Sequence, residues 1–196
     1  TYSGGVSFFD QESSSAVTKV SHMANNVNSL VNNDVNSILE DRNGNLWFAT
    51  NNGVSYWNTK TNKWKSFYHN KEQHAQVFLA LCQDSNGRIW AGSYSSGIYI
   101  LDGNTGKELR HLSQENTLGD FAGDFVFNMI EDQQGDIWIG GVRGDLIRYN
   151  NNTDTYTSYP DYTIYIIAEY GSDKLLMGTT YGLLLFDKTD GSHEVL

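Results

Sequence analysis

A short string recurs along the chain at a nearly fixed interval, and that periodicity constrains the fold more than any other feature. DRNGNLW (41–47), DSNGRIW (84–90) and DQQGDIW (132–138) align without gaps as D-x-x-G-x-[LI]-W. After each tryptophan comes an apolar stretch rich in small residues, a second turn with glycine, and another apolar run: FATNNGVSYW, AGSYSSGIYIL and IGGVRGDLIRY. GSDKLLMGTTYGLLLF (171–186) is a weaker copy with Leu176 at the tryptophan position. The opening TYSGGVSFF superimposes on SYSSGIYIL, with Gly5 over Gly97.

The tryptophans lie 43 and 48 residues apart, and Leu176 follows Trp138 by 38. Scatter of this kind leaves a constant strand core with surface loops of varying length. A period of about 40–50 residues is that of a four-stranded propeller blade. The second unit divides into VNSILE (35–40), LWFAT (46–50), VSYWN (54–58) and KWKSFY (63–68). The Asp, Asn and Gly residues between them suit tight hairpins, so each unit reads as an antiparallel meander. No helix-length segment has 3.6-residue apolar periodicity. The first strands VFLALC (77–82), FVFNMI (125–130) and TIYIIA (163–168) are almost wholly apolar, which predicts burial on both faces; the fourth strands, mixed in polarity, belong outside.

The fold class is therefore all-β: a propeller segment over 1–196 with about four and a half blades. The partial blade covers 1–20, and the others about 33–70, 75–112, 124–160 and 162–196. An incomplete opening unit makes the chain an expected excerpt of a longer propeller. Open blade faces predict cover from a second copy or from missing parts of the same propeller.

Charge narrows the function classes. With 13 Lys+Arg against 23 Asp+Glu, the net charge of −10 offers no footprint for phosphate backbones or anionic membranes. No apolar run reaches the roughly 18 residues of a bilayer span, and the first residues lack the pattern of a signal peptide. The single cysteine, Cys82, is silent on compartment and reads as a small buried hydrophobe.

The fuller pattern D-x-x-G-x-[LI]-W-x-[GA]-[TS], followed by G-[VIL] and an aromatic strand, resembles the two-component regulator propeller repeat. It is clearest in 32–64 and 127–150 and covers essentially the whole chain. The resemblance implies the periplasmic sensor region of a membrane-anchored hybrid histidine kinase, with a carbohydrate as ligand and a dimer whose rearrangement carries the signal. This segment itself is expected not to be an enzyme. Two alternatives stand beside it: a lyase-like or hydrolase-like propeller enzyme acting on a glycan or ring substrate, and a structural, protein-docking propeller.

Asp41, Asp84 and Asp132 recur because their carboxylates close the turn before each tryptophan, and Trp47, Trp90 and Trp138 because they pack between blades. Ligand contacts are sought where the copies differ. The turn between second and third strands carries Tyr2, Asn51 and Asn52, Tyr94, Arg143 and Tyr181. In a meander this turn shares one end with the connectors 11–34, 69–76 and 113–124. Aromatic rings beside Asn and Arg donors suit sugars, and suit protein interfaces equally. The ligand-binding set is thus Tyr2, Asn52, Tyr94, Arg143 and Tyr181. The five histidines lack metal-site spacing, DGNTGKE (102–108) lacks the acidic ligands of a calcium loop, and no nucleophile elbow or phosphate loop occurs, so no metal, cofactor or catalytic residue is expected.

Overall fold

The computed structural model describes residues 3–9, 17–69, 76–115, 117, 123–142 and 144–196. Every regular element among them is a β-strand. They form five antiparallel sheets. The first has two strands, β1 (Val6–Phe9) and β2 (Val17–Val20). The second contains β3 (Val35–Glu40), β4 (Leu46–Thr50), β5 (Gly53–Asn58) and β6 (Lys63–Phe67). The third contains β7 (Phe78–Gln83), β8 (Arg88–Ser93), β9 (Ile98–Asp102) and β10 (Glu108–Leu112). The fourth contains β11 (Val126–Glu131), β12 (Asp136–Gly141), β13 (Gly144–Asn150) and β14 (Thr155–Tyr162), and the fifth β15 (Ile164–Tyr170), β16 (Lys174–Thr179), β17 (Gly182–Asp187) and β18 (His193–Val195). Each four-stranded sheet is a meander in sequence order. The chain divides into two compact units, Thr1–Leu79 and Ala80–Leu196.

The repeated motif explains the turn into each second strand. Asp41 Oδ1 accepts the backbone N–H groups of Asn43 and Asn45, both at 2.9 Å, and Asp41 Oδ2 accepts the Trp47 indole N–H at 3.1 Å. Asp84 and Asp132 repeat the indole bond at 2.9 and 2.7 Å. Gly44, Gly87 and Gly135 each donate a backbone N–H to that aspartate's carbonyl, at φ of 78°, 78° and 83°, where a side chain would be strained. One buried carboxylate thus closes the hairpin and also satisfies the indole, which could not otherwise be buried without cost.

In the second unit, Trp90 packs on Tyr149 of the next sheet at 5.1 Å between ring centroids, and Trp138 packs on Phe186 at 5.8 Å. Burial of each indole stabilises the fold by about 4–6 kcal/mol on an area basis. The small residue two places after each of these tryptophans admits the next sheet's first strand. A Cβ on Gly92 would stand 2.5 Å from Val126 Cγ1, and one on Gly140 would stand 2.7 Å from Ile164 Cγ2. Cys82 lies in the same apolar cluster as Trp90, Val126 and Met129.

The expected two-faced burial of first strands is fulfilled in β7 but corrected in β15. There Tyr165 and Ile166 are exposed while Ile164 and Ile167 are buried against β11 and β12. Pro160 lies inside β14, which it can occupy because that strand is the sheet's edge.

Candidate functional site

Three of the turns between second and third strands carry a hydroxyl clasp, whereas Gly141 stands at that position in the fourth sheet. Thr50 Oγ1 accepts the Asn52 N–H at 3.1 Å and donates to the Gly53 carbonyl at 2.8 Å. Thr179 repeats this with the Tyr181 N–H at 3.1 Å and the Gly182 carbonyl at 3.0 Å. Ser93 Oγ accepts the Ser96 N–H at 2.8 Å in the wider turn that carries Tyr94. The [TS] position of the repeat is therefore a turn-closing hydroxyl, and the clasp leaves the intervening side chains free to vary.

Those side chains point outward. Tyr94 is 51% exposed and Tyr181 73% exposed, while Asn52 is half-buried. Asn51 Oδ1 accepts a hydrogen bond from Asn36 at 2.9 Å. Tyr2 and Arg143 lie outside the described residues. Tyr94 meets Phe125 edge-on at 5.5 Å, whereas Tyr181 stands in its own turn. Asn52 belongs to the first unit, Tyr94 and Tyr181 to the second.

Sequence reasoning missed a second aromatic pair at the same end of the strands. β11 and β15 each slip register between their first and third residues, so Phe127 and Tyr165 occupy bulges. A bulge re-aims its side chain, and here the two rings stack at 5.8 Å with 22° between their planes. The equivalent positions in the second and third sheets hold Asn36 and Leu79. That variation between copies was the available signal; the re-aiming was not.

In the first unit the connector after β2 folds into a recess of about 350 Å³, lined by His22, Met23, Asn26, Leu30, Ser66 and His69 among others. The connector is held by polar contacts: His22 Nδ1 to the Leu30 carbonyl at 2.7 Å, Ser29 Oγ to the Asn26 carbonyl at 2.8 Å, and the Val31 N–H to Ser55 Oγ at 2.9 Å. An apolar floor rimmed by amides and imidazoles is suited to a small polar ligand.

At the opposite end of the strands, charges are buried and fully engaged. Lys188 Nζ reaches Asp132 Oδ2 at 3.1 Å, Glu169 Oε1 at 2.9 Å and Gln134 Oε1 at 2.8 Å. Arg148 Nε donates to Asp136 Oδ2 at 2.6 Å. Burial pushes the Asp132 carboxyl up, but the Trp138 indole, the Asp136 N–H and the Lys188 ammonium outweigh it and hold the group below its ordinary value. Among the described residues no group of three His, Cys, Asp or Glu side chains is placed to hold a metal ion.

The profile of the two-component regulator propeller matches residues 29–52, 72–95 and 120–143. No curated protein is significantly similar to the chain. Among solved structures, the chain is similar to a B. thetaiotaomicron extracellular domain described as that of a hybrid two-component system, BT3049. The two are 23% identical with a TM-score of 0.78, over 98% of this chain and 25% of that one. A second B. thetaiotaomicron extracellular domain so described, BT4673, matches all of this chain and 34% of its own at 14% identity and a TM-score of 0.62. The β-propeller domain of Cps50 (Swd1) from Myceliophteria thermophila matches 83% of this chain and 55% of its own at 15% identity, also with a TM-score of 0.62. The chain spans a quarter to a third of the two B. thetaiotaomicron domains. Its sheets are propeller blades, and three stretches of the chain match the model of the two-component regulator propeller.

Proposed function

We propose that this chain is a ligand-sensing propeller segment of a hybrid two-component sensor, placed outside the cytoplasm and free of enzymatic activity of its own. The observation that carries the reading is the match of three segments to the two-component regulator propeller. Two structures similar in fold are extracellular domains described as belonging to such systems, which supports the location. The parent protein supplies the histidine kinase and the membrane anchor.

The ligand on this reading is a carbohydrate, bound where the second-to-third turns and the connectors end. The exposed Tyr94 and Tyr181 rings and the stacked Phe127 and Tyr165 offer faces for sugar C–H groups in the second unit. In the first unit the recess beside His22, Asn26 and His69 offers hydrogen-bond partners. Signalling then requires that ligand bind one dimer arrangement more tightly than another, since equal affinity shifts no equilibrium.

The test is calorimetric titration of an oligosaccharide panel into the sensor region. Tyr94→Ala combined with Tyr181→Ala is expected to weaken binding at least tenfold while leaving the melting temperature unchanged. Unaltered affinity in that double variant would remove this face from the reading; turnover of any panel member would replace the sensor with an enzyme.

A further inference from the structure

The connector after β2 is held by hydrogen bonds that use up its side-chain acceptors. Asn26 Oδ1 accepts the Asn28 N–H at 2.9 Å, Asn32 Oδ1 the Asp34 N–H at 2.7 Å, and Asn33 Oδ1 the His22 N–H at 2.6 Å. A backbone N–H only donates, so each of these amides turns its oxygen to the chain and keeps its NH2 group as a donor. His22 follows the same logic. Its Nδ1 lies 2.7 Å from the Leu30 carbonyl, which only accepts, so Nδ1 carries the proton and Nε2 is the ring nitrogen left to a ligand.

Asn26 and His22 both line the recess, together with Asn25, Ser66 and His69. Leu30 beneath it is buried, and Met23 and Val27, also on its wall, are exposed. No Asp, Glu, Lys or Arg is among the described residues that line it. In a chain with 23 acidic residues and a net charge of −10 that matters, because the protein's field repels anions wherever carboxylates gather. The second unit shows the contrast: its recess of about 270 Å³ includes Asp132 and Asp173 in the wall. A ligand beside the connector meets donors instead.

The titratable groups on this wall are His22 and His69. Histidine gains its second proton within the range pH 5–8, and an imidazolium donates from both nitrogens. Bonds from such a cation to an anion are about twice as strong as neutral ones.

We infer that this recess binds the anionic group of an acidic saccharide, with Asn26 Nδ2 and His22 Nε2 as donors and Met23 and Val27 against the C–H groups of the ring. The inference rests on the carbohydrate reading above and narrows it to sugars that carry a carboxylate or sulfate. Affinity rises as pH falls, because the two imidazoles then face the anion as cations.

The test is calorimetric titration of the folded chain with two matched pairs: tetragalacturonate against its methyl ester, and a sulfated galactan tetrasaccharide against its desulfated form. At least one anionic member is expected to bind tenfold or more tightly than its neutral twin, and at least threefold more tightly at pH 5.5 than at pH 7.5. The pair that responds identifies the anion. Asn26→Asp keeps an oxygen for the Asn28 N–H but puts negative charge in place of the donor; it is expected to weaken that binding at least tenfold at an unchanged melting temperature. His22→Asn, whose amide still donates to the Leu30 carbonyl, combined with His69→Gln is expected to abolish the pH dependence. Equal affinity of charged and neutral twins, indifference to Asn26→Asp, or a pH dependence that survives the double variant overturns the inference. If none of the four binds while a neutral oligosaccharide does, the inference falls and the carbohydrate reading stands; no binding by any saccharide removes both.

Discussion

The turns before Trp47 and Trp138 have the same backbone and opposite electrostatic solutions. In the first, Asp41 is satisfied by neutral donors from its own turn, including the Asn45 amide at 3.1 Å. In the second, the residue four places after the aspartate is itself an acid, Asp136, so two buried carboxylates share one hairpin. They are balanced by Arg148 from the neighbouring strand and by Lys188 from the next sheet. Asp84 stands between the two, bound by Arg88 Nε at 2.6 Å within its own motif. A repeat can therefore vary one residue and convert a self-contained turn into a joint between sheets.

Breaking that joint should produce the largest effect. Lys188→Met leaves Asp132 and Glu169 without their cation, and both Lys188 and Asp132 are almost wholly buried. A loss of about 3–5 kcal/mol in urea unfolding is expected; a loss below 1 kcal/mol would show that the carboxylates find water instead. Trp138→Phe keeps the ring in place but removes the indole N–H from a charged acceptor, for about 1.5–3 kcal/mol. Trp47→Phe should cost a similar amount, since the Asp–indole bond is common to both turns. Asn45→Ala should cost about 1 kcal/mol, as the backbone donors to Asp41 remain.

The pH dependence sharpens the comparison further. Because the Asp132 pKa is lowered on folding, its contribution is present above the unfolded value of about 4 and disappears as pH falls through the folded value. In Lys188→Met one cause of that lowering is gone, so the acid loss should begin at higher pH than in the unaltered chain. Chemical unfolding at a series of pH values between 2 and 6 would show it, and coincident acid limbs would refute it.

Much of the fold was legible because its instructions are local. The aspartate, the turn glycine and the tryptophan act on one another within six residues, so three copies of the string located the β3–β4, β7–β8 and β11–β12 hairpins. The candidate site was legible only in outline. Tyr94 and Tyr181 are exposed at turns where the copies differ, yet Phe127 and Tyr165 lie among apolar first strands. A bulge changes where a side chain points without changing which residues are apolar.

The sequence by itself determined the period, the strand order and the chemistry of each turn, since these follow from hydrogen bonds between near neighbours. Only the tertiary structure decided that Lys188 would neutralise Asp132 across 56 residues, and that His22 and His69 would line one recess. Burial and charge balance depend on which sheet lies against which, and that adjacency is a property of packed surfaces rather than of any one segment.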